Sequence, residues 1–356
     1  MGYDEIMPPG RSDTHPQPHR KRPRRSMPYH QVPTDVDADL YSLRRLEDDG
    51  WTELDGFISE CQSRFAQGDY SPQPARSAEI GETRIIVADI HGNPRNLYRL
   101  LLAGGAISPD GRKNPGYWVC QLGDLLHCGT GVWEGDRDTS LIGPEWVDNQ
   151  LLGNHELPYI TKRIDSTFAG QHYHLHPDLD RRLRINMQSG HYQAAAAVDG
   201  WLVSHAGADP RLLRDAGMLE LVDDTSALAE ALNTHWIERL SGRRDPEPLM
   251  DWIDHKRGGR NFTGSIFWCT YSELMRGYQK MSEMQGRLRQ IVGHTPRAKG
   301  PYCRNGIWNI DLRGIETGMV SALIKRPDQE QWHPIVLGRA KLPPTTITEQ
   351  VLPGSH

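Results

Sequence analysis

The chain has 356 residues, of which 37% are hydrophobic, and a formal charge of −5 at pH 7. That is enough apolar chain to bury a core, and too little charge imbalance to mark the whole protein as a nucleic-acid or membrane-surface binder. No apolar run approaches the ~18 residues of a membrane span, and the N-terminus lacks the apolar centre of a secretory signal, so the expectation is a soluble cytoplasmic protein. Cys61, Cys120, Cys128, Cys269 and Cys303 are odd in number, far apart and without a C-x-x-C pair, which argues for structural thiols rather than a disulfide framework or a thiolate zinc knuckle. The 16 His, in contrast, are a generous supply of metal ligands and proton carriers.

In chain order, residues 1–36 hold seven Pro, few aliphatics and the basic run His19-Arg20-Lys21-Arg22-Pro23-Arg24-Arg25, the composition of a disordered tail. The run is expected to be solvated, with a nucleic-acid or acidic partner as the alternative. The spacing of Leu40, Leu43, Leu46, Trp51, Leu54 and Ile58 predicts one or two amphipathic helices over 37–65, and 68–74 reads as a linker, so that 37–75 form an N-terminal extension. The body of the protein is expected over 76–338, followed by a surface extension at 339–356.

Within that body, 84–88 reads as a buried strand. Asn93-Pro94 then supplies an N-cap and first position for a helix that Gly104-Gly105 ends. A second strand is predicted over 117–122. The runs 192–198 and 201–204 flank Asp199-Gly200, a dipeptide favoured in tight hairpins. Further strands are predicted at 290–292, 307–310 and 319–324, with helices near 210–218, 224–240 and 271–286. Strands mixed with helices in this order imply a layered α/β core.

The chemistry-bearing residues collect where these apolar runs stop. Asp89-Ile90-His91-Gly92 follows the first strand, Gly123-Asp124 the second, and Gly153-Asn154-His155-Glu156 a third hydrophobic step. Ser204-His205-Ala206-Gly207 follows the hairpin, and Gly293-His294-Thr295-Pro296 follows a later strand. Strand alternation is expected to send Asp89 and His91 to one side, able to grip one ion. In α/β sheets ligands bind beyond the carboxyl ends of the strands, so all five segments can converge.

Taken together and in this order, the motifs resemble those of the calcineurin-like metallophosphoesterases, specifically the phosphoprotein-phosphatase branch of bacterial and phage type, over residues 84–325. The resemblance implies a two-layer mixed β-sandwich flanked by helices, with a dimetal site at the strand ends. It implies Asp89 and His91 on one metal, Asn154, His205 and His294 on the other, Asp124 bridging both, His155 as general acid and Glu156 orienting its loop. A ligand set of carboxylate, amide oxygen and imidazole suits Mn²⁺, with Fe or Zn as alternatives. Two such ions clamp a phosphoryl group and activate a shared water for in-line attack.

The sequence departs from the family pattern G-D-x-x-D-R-G, reading Gly123-Asp124-Leu125-Leu126-His127-Cys128-Gly129. His127 replaces the acid that would stabilise the His155 cation, and Cys128 replaces a phosphate-binding Arg. Cys128 is expected to fill space rather than act as a redox thiol. In a looser comparison, Cys269-Thr270 stand after Trp268 where relatives carry an Arg. Replacement cations are sought in Arg297, Arg95 and the loop Lys256-Arg257-Gly258-Gly259-Arg260. The alternating His172, His174 and His176 are expected to lie on a polar strand or loop rather than to form another metal site.

These features predict a phosphoesterase acting on a phosphomonoester of a protein or small molecule, with a preference for leaving groups of low pKa. The alternatives are a hydrolase of phosphodiesters or of nucleoside or dinucleoside polyphosphates, and a metal-binding interaction protein with little turnover.

Overall fold

A computed structural model of the protein describes residues 51–126, 133–161, 177–255, 259–312 and 319–338. In chain order its elements are α1 (Trp51–Gln67), β1 (Thr83–Val87), α2 (Pro94–Ala103), β2 (Tyr117–Gln121), α3 (Trp133–Trp146), β3 (Asn149–Leu151), α4 (Leu157–Thr161) and α5 (Pro177–Gln188). They continue with β4 (Tyr192–Gln193), β5 (Ala195–Val198), β6 (Trp201–Ser204), α6 (Pro210–Asp215), α7 (Thr225–Leu240), α8 (Pro248–Asp251) and α9 (Tyr271–Lys280). The last elements are β7 (Gln290–Val292), β8 (Tyr302–Arg304), β9 (Ile307–Asn309), β10 (Val320–Lys325) and β11 (His333–Leu337).

The strands form two mixed sheets. The first is ordered β11-β10-β1-β2-β3-β4, with β1 to β4 parallel and β10 and β11 antiparallel; the second is ordered β5-β6-β7-β9-β8, with β6, β7 and β9 parallel. Successive side chains of a strand face opposite ways, and here both faces are apolar because both are covered. Ile86, Ala88, Trp118, Cys120 and Leu323 of the first sheet meet Ala196, Val203, Ile291 and Trp308 of the second in one core between the sheets. Their neighbours Ile85, Val87, Val119, Ala322 and Ile324 turn outward onto α1, α2 and α3. On the second sheet Ala195, Leu202, Val292 and Ile307 turn outward onto a core that includes α5, α7 and α9. The result is two facing mixed sheets flanked by helices.

Local signals account for most boundaries. Asn93 caps α2 by accepting from the Asn96 N–H, Pro94 occupies its first position, and Gly104 and Gly105 close it. Asp224 caps α7 through the Ser226 and Ala227 N–H groups. The predicted helix 271–286 ends at Lys280, followed by a single 3-10 turn at Ser282–Met284. Of the predicted N-terminal helices, Leu54 and Ile58 lie buried on α1, whereas 1–50 fall outside the described residues and with them the tail, its basic run, and Leu40, Leu43 and Leu46. The expected extension 339–356 also falls outside them. No disulfide joins the described cysteines, and Cys61, Cys120 and Cys269 are buried. No helix among the described residues is long and apolar enough to cross a membrane.

One predicted element is corrected. The run 192–198 is not a single strand: β4 pairs with β3 in the first sheet, and after Ala194 the chain continues as β5, paired with β6 in the second. The switch would strand backbone groups, and Asn233 of α7 meets them. Its Oδ1 accepts from the Ala194 and Ala195 N–H groups at 2.8 and 3.0 Å, and its amide donates to the Ala195 carbonyl at 2.9 Å.

Arg76 anchors the segment that leads into β1. Its guanidinium donates to both oxygens of Glu82 at 2.9 and 2.8 Å and to Asp148 at 2.9 Å, while its carbonyl accepts from the Trp118 indole. The paired hydrogen bonds from Arg76 hold the Glu82 carboxyl below its ordinary range. The stabilisation this gives is complete above the unfolded glutamate pKa of about 4.3 and is lost as pH falls through the lower folded value. Urea unfolding should therefore show Glu82→Gln to be less stable than wild type by on the order of 1 kcal/mol near pH 7, since Arg76 is partly solvent-screened, with the gap narrowing as the pH is lowered below about 4.3. A gap of equal size above and below that pH would refute the ion pair as its cause.

Candidate metal centre

Six strand-end loops from both sheets meet at one place. Strand β1 ends at Val87, so Asp89 and His91 stand in the loop beyond it. Loop-to-loop hydrogen bonds, rather than strand alternation, place them: Ile90 and His91 N–H both donate to the Asp124 carbonyl at 3.1 and 2.8 Å, and Gly92 N–H to that of Leu125 at 2.7 Å. Buried Gln121, the last residue of β2, bonds Ala88 and both the N–H and C=O of Gly123, fixing the second loop against the first. Glu156, fully buried, accepts from the N–H groups of Gly153, Asp124 and Leu126 at 2.8, 3.0 and 3.1 Å, which locks the third loop to the second. This is the orienting role the sequence implied for Glu156.

His91, Asp124 and His294 all adopt positive φ, at 51°, 50° and 63°. Non-glycine residues in this left-handed region cost roughly 1 kcal/mol or more each, strain that surrounding contacts must hold in place. Glycine is required beside them by close approach: a Cβ on Gly153 would collide with Oδ1 and the N–H of Asp124, and one on Gly293 with Oδ1 of Asp89.

The side chains converge as follows. Asp124 Oδ2 lies 3.8 Å from His155 Nε2 and 3.4 Å from His205 Nε2. His205 Nε2 is 3.1 Å from Asn154 Oδ1 and 3.0 Å from His294 Nδ1. Asp89 Oδ2 is 4.0 Å from His91 Nε2, and both Asp89 oxygens accept from the His294 N–H. Two groups of donor atoms emerge, His91-Asp124-His155 and Asp124-His205-His294, with Asp124 common to both. His155, expected only as a proton donor, thus stands among the possible ligands as well.

This donor set fits divalent cations. His205 Nδ1 lies 3.0 Å from the Leu122 carbonyl, which can only accept, so the proton is on Nδ1 and the Nε2 lone pair faces the cluster. Asp124 Oδ2 and Asn154 Oδ1 point lone pairs at the same spot, an arrangement that a cation reconciles. Asp89 is pushed well above the ordinary carboxylate range by burial and by the neighbouring charges of Asp311 and Asp124. Buried negative charges held this close call for positive charge between them. The absence of thiolates and the mix of oxygen and imidazole donors match borderline and hard metals.

Sequence reasoning missed Asp311, buried two residues past β9 and the acid nearest in effect to Asp89. Its signal was present, since it follows a strand end like the others. It also missed Asp136, a buried residue of α3 whose carboxylate lies against Gly92. Arg95 lies exposed in the first turn of α2. Arg297 stands three residues after His294, its guanidinium against Tyr271 and Tyr302. Cys269 is buried with Sγ near Thr263, and Thr270 with Glu273 forms the capping box that starts α9, so this position serves a helix start. His127, Cys128, His172, His174, His176 and residues 256–258 fall outside the described residues.

No protein-family model matches the sequence, and no curated protein matches it. Among solved structures, the chain is similar to a cold-active protein-tyrosine phosphatase of a psychrophilic Shewanella species, with a TM-score of 0.43 and 14% identity over 72% of this chain and 81% of that one. It is also similar to a protein assigned as a diadenosine tetraphosphatase, with a TM-score of 0.41 and 17% identity over 76% of this chain and 98% of that one.

Gly153→Ala is expected to destabilise the protein by about 1–3 kcal/mol through overpacking against Asp124. It should also weaken Mn²⁺ binding by direct titration far more than Gly56→Ala, at a glycine of α1 with no neighbour near its Cβ position. Equal metal affinity in the two variants would show that the Gly153 contact does not shape the donor set.

Proposed function

We propose that the protein is a metal-dependent phosphoesterase of the calcineurin-like kind, which removes a terminal phosphoryl group by hydrolysis, with phosphomonoesters as its leading substrates. The observation that carries this reading is the pair of donor groups sharing buried Asp124, assembled from loops of both sheets.

When bound, two divalent cations, Mn²⁺ in this reading, would supply polarisation of the phosphoryl oxygens and an activated water. Asp89, His91 and Asp124 would hold one, and Asp124, Asn154, His205 and His294 the other. The chain's own residues do the rest. Glu156 fixes the backbone of Gly153 relative to that of Asp124, so the two sets of donors keep their spacing. His155 N–H donates to Asp124 Oδ1 at 3.0 Å, which orients the carboxylate. The His155 side chain is 18% exposed, against 0% for His205, so it alone of these two borders solvent, where a substrate arrives. Its imidazolium would be the acid that protonates the leaving oxygen. With His127 where a carboxylate partner would stabilise that cation, acid assistance is weaker and good leaving groups are favoured.

Hydrolysis of aryl and alkyl monoesters, a diester and a nucleoside triphosphate, with Mn²⁺ added, tests this reading. Asn154→Ala and His155→Ala are each expected to lower kcat/KM by about 100-fold or more, chelation to abolish turnover, and the rate to fall steeply as leaving-group pKa rises. If wild type is no faster than Asn154→Ala on every substrate, the enzyme reading fails, and Mn²⁺ binding without turnover would leave a metal-binding scaffold in its place. Equal rates on aryl and alkyl esters would refute the weakened acid.

A further inference from the structure

The segment from Thr295 to Ile310 contains Arg297, Lys299 and Arg304 and no acidic residue, although it leads directly away from His294 and ends beside Asp311. It is folded back onto the site. Arg297 N–H donates to the Asp311 carbonyl at 3.0 Å, and Asn309 donates to the Thr295 carbonyl at 2.9 Å. Tyr271 N–H donates to Thr295 Oγ1 at 2.9 Å, and Tyr302 pairs with Asn309 across β8 and β9. Tyr271 and Tyr302 thereby come to flank one guanidinium: Arg297 Cζ lies 5.7 Å from the first ring centroid and 4.5 Å from the second.

Resting against both rings, the guanidinium has lost part of its rotamer freedom before any ligand arrives. Its Nε and the Tyr271 hydroxyl are both buried and without a hydrogen-bond partner among the described residues. With Nε buried, the two terminal nitrogens of this planar cation are the donors left to meet a ligand, and their fork suits an oxyanion with several oxygens. Lys299 and Arg304 of the same segment are exposed and add positive charge, Arg304 within electrostatic reach of Tyr271.

We propose that Arg297, clamped by Tyr271 and Tyr302, binds the second phosphate of a polyphosphorylated substrate, with Lys299 and Arg304 attracting any further ones. This rests on the phosphoesterase reading and extends its substrates beyond phosphomonoesters to those bearing a phosphoanhydride. A water oxygen bonds to the terminal phosphorus, the bond to the bridging oxygen breaks, the shortened phosphate chain leaves with that electron pair, and the proton released passes to solvent. Arg297 stabilises the departing chain, whose negative charge grows as the bond breaks. A simple ester has no group to place there.

Calorimetric titration of the full chain in Mn²⁺ with tripolyphosphate, supplied as its methylene-bridged analogue that cannot be hydrolysed, and with orthophosphate reads the clamp without turnover. Arg297→Gln is expected to weaken tripolyphosphate binding about tenfold, as loss of a charge-assisted bidentate contact does, and orthophosphate binding less than twofold. Arg297→Lys should recover only part of the loss, and Lys299→Gln with Arg304→Gln, both at exposed positions, should lose a further few-fold. In kinetics, the ratio of kcat/KM on tripolyphosphate to that on p-nitrophenyl phosphate should fall about tenfold in Arg297→Gln. Equal weakening for both anions, or no weakening, overturns the clamp. Wild-type binding of tripolyphosphate that depends on Arg297, without hydrolysis of any substrate, would instead sink the phosphoesterase reading and leave the clamp standing.

Discussion

Asp124 and Asp311 are buried within electrostatic reach of Asp89, and their repulsion of its charge in a low-dielectric setting is the cost that the surrounding architecture contains. Containment takes the form of oriented N–H groups. His294 N–H donates to Asp89 and His155 N–H to Asp124, so two residues that carry imidazoles toward the centre also solvate its carboxylates through their backbones. Glu156, a fourth buried acid, is pushed up to about 8 by burial and by Asp124, and is offset by three backbone donors. The same hydrogen bonds that tie loop to loop therefore also make the negative charge tolerable.

That arrangement explains where strain is stored. Left-handed backbone at His91, Asp124 and His294 turns each chain sharply just past its strand, which brings side chains from separate strands to one point. Elsewhere among the described residues, positive φ at non-glycine residues falls in Asp199-Gly200 and Asn305-Gly306, the tight turns of hairpins, where it is cheap and local.

The legible part of the fold was the part whose apolar runs end in chemistry. Strands β1, β2, β6, β7 and β10 and helices α2 and α7 announce themselves by buried runs, caps and glycine stops, and the polar residues next to them gave the donor set. Helix α3 was invisible, because Gly135, Gly143 and Pro144 break its pattern, and it hid Asp136. Helix α5 is so charged that Leu179 and Leu183 are easily overlooked. The short edge strands β8 and β11 lack an alternating signature, although Asn305-Gly306 was a readable turn between β8 and β9. No local signal could reveal that 192–198 divides between sheets, since the residue that makes it feasible, Asn233, lies far along the chain.

That division has a mechanical meaning. The first sheet provides Asp89, Asp124 and Asn154, and the second provides His205, His294 and Asp311, so the seam between the sheets runs through the donor cluster. Apolar packing alone would let the sheets slide over one another by small steps, and a slide of an ångström would pull one half of the donors out of register with the other; the bonds from His294 N–H to Asp89 and from His205 Nδ1 to the Leu122 carbonyl oppose this at the centre. A single backbone belonging to both sheets, pinned at Ala194 and Ala195 by Asn233, acts as a rivet against such shear. Precision at the centre of the molecule is in this sense held from its flank as well, by an amide that touches none of the donor groups.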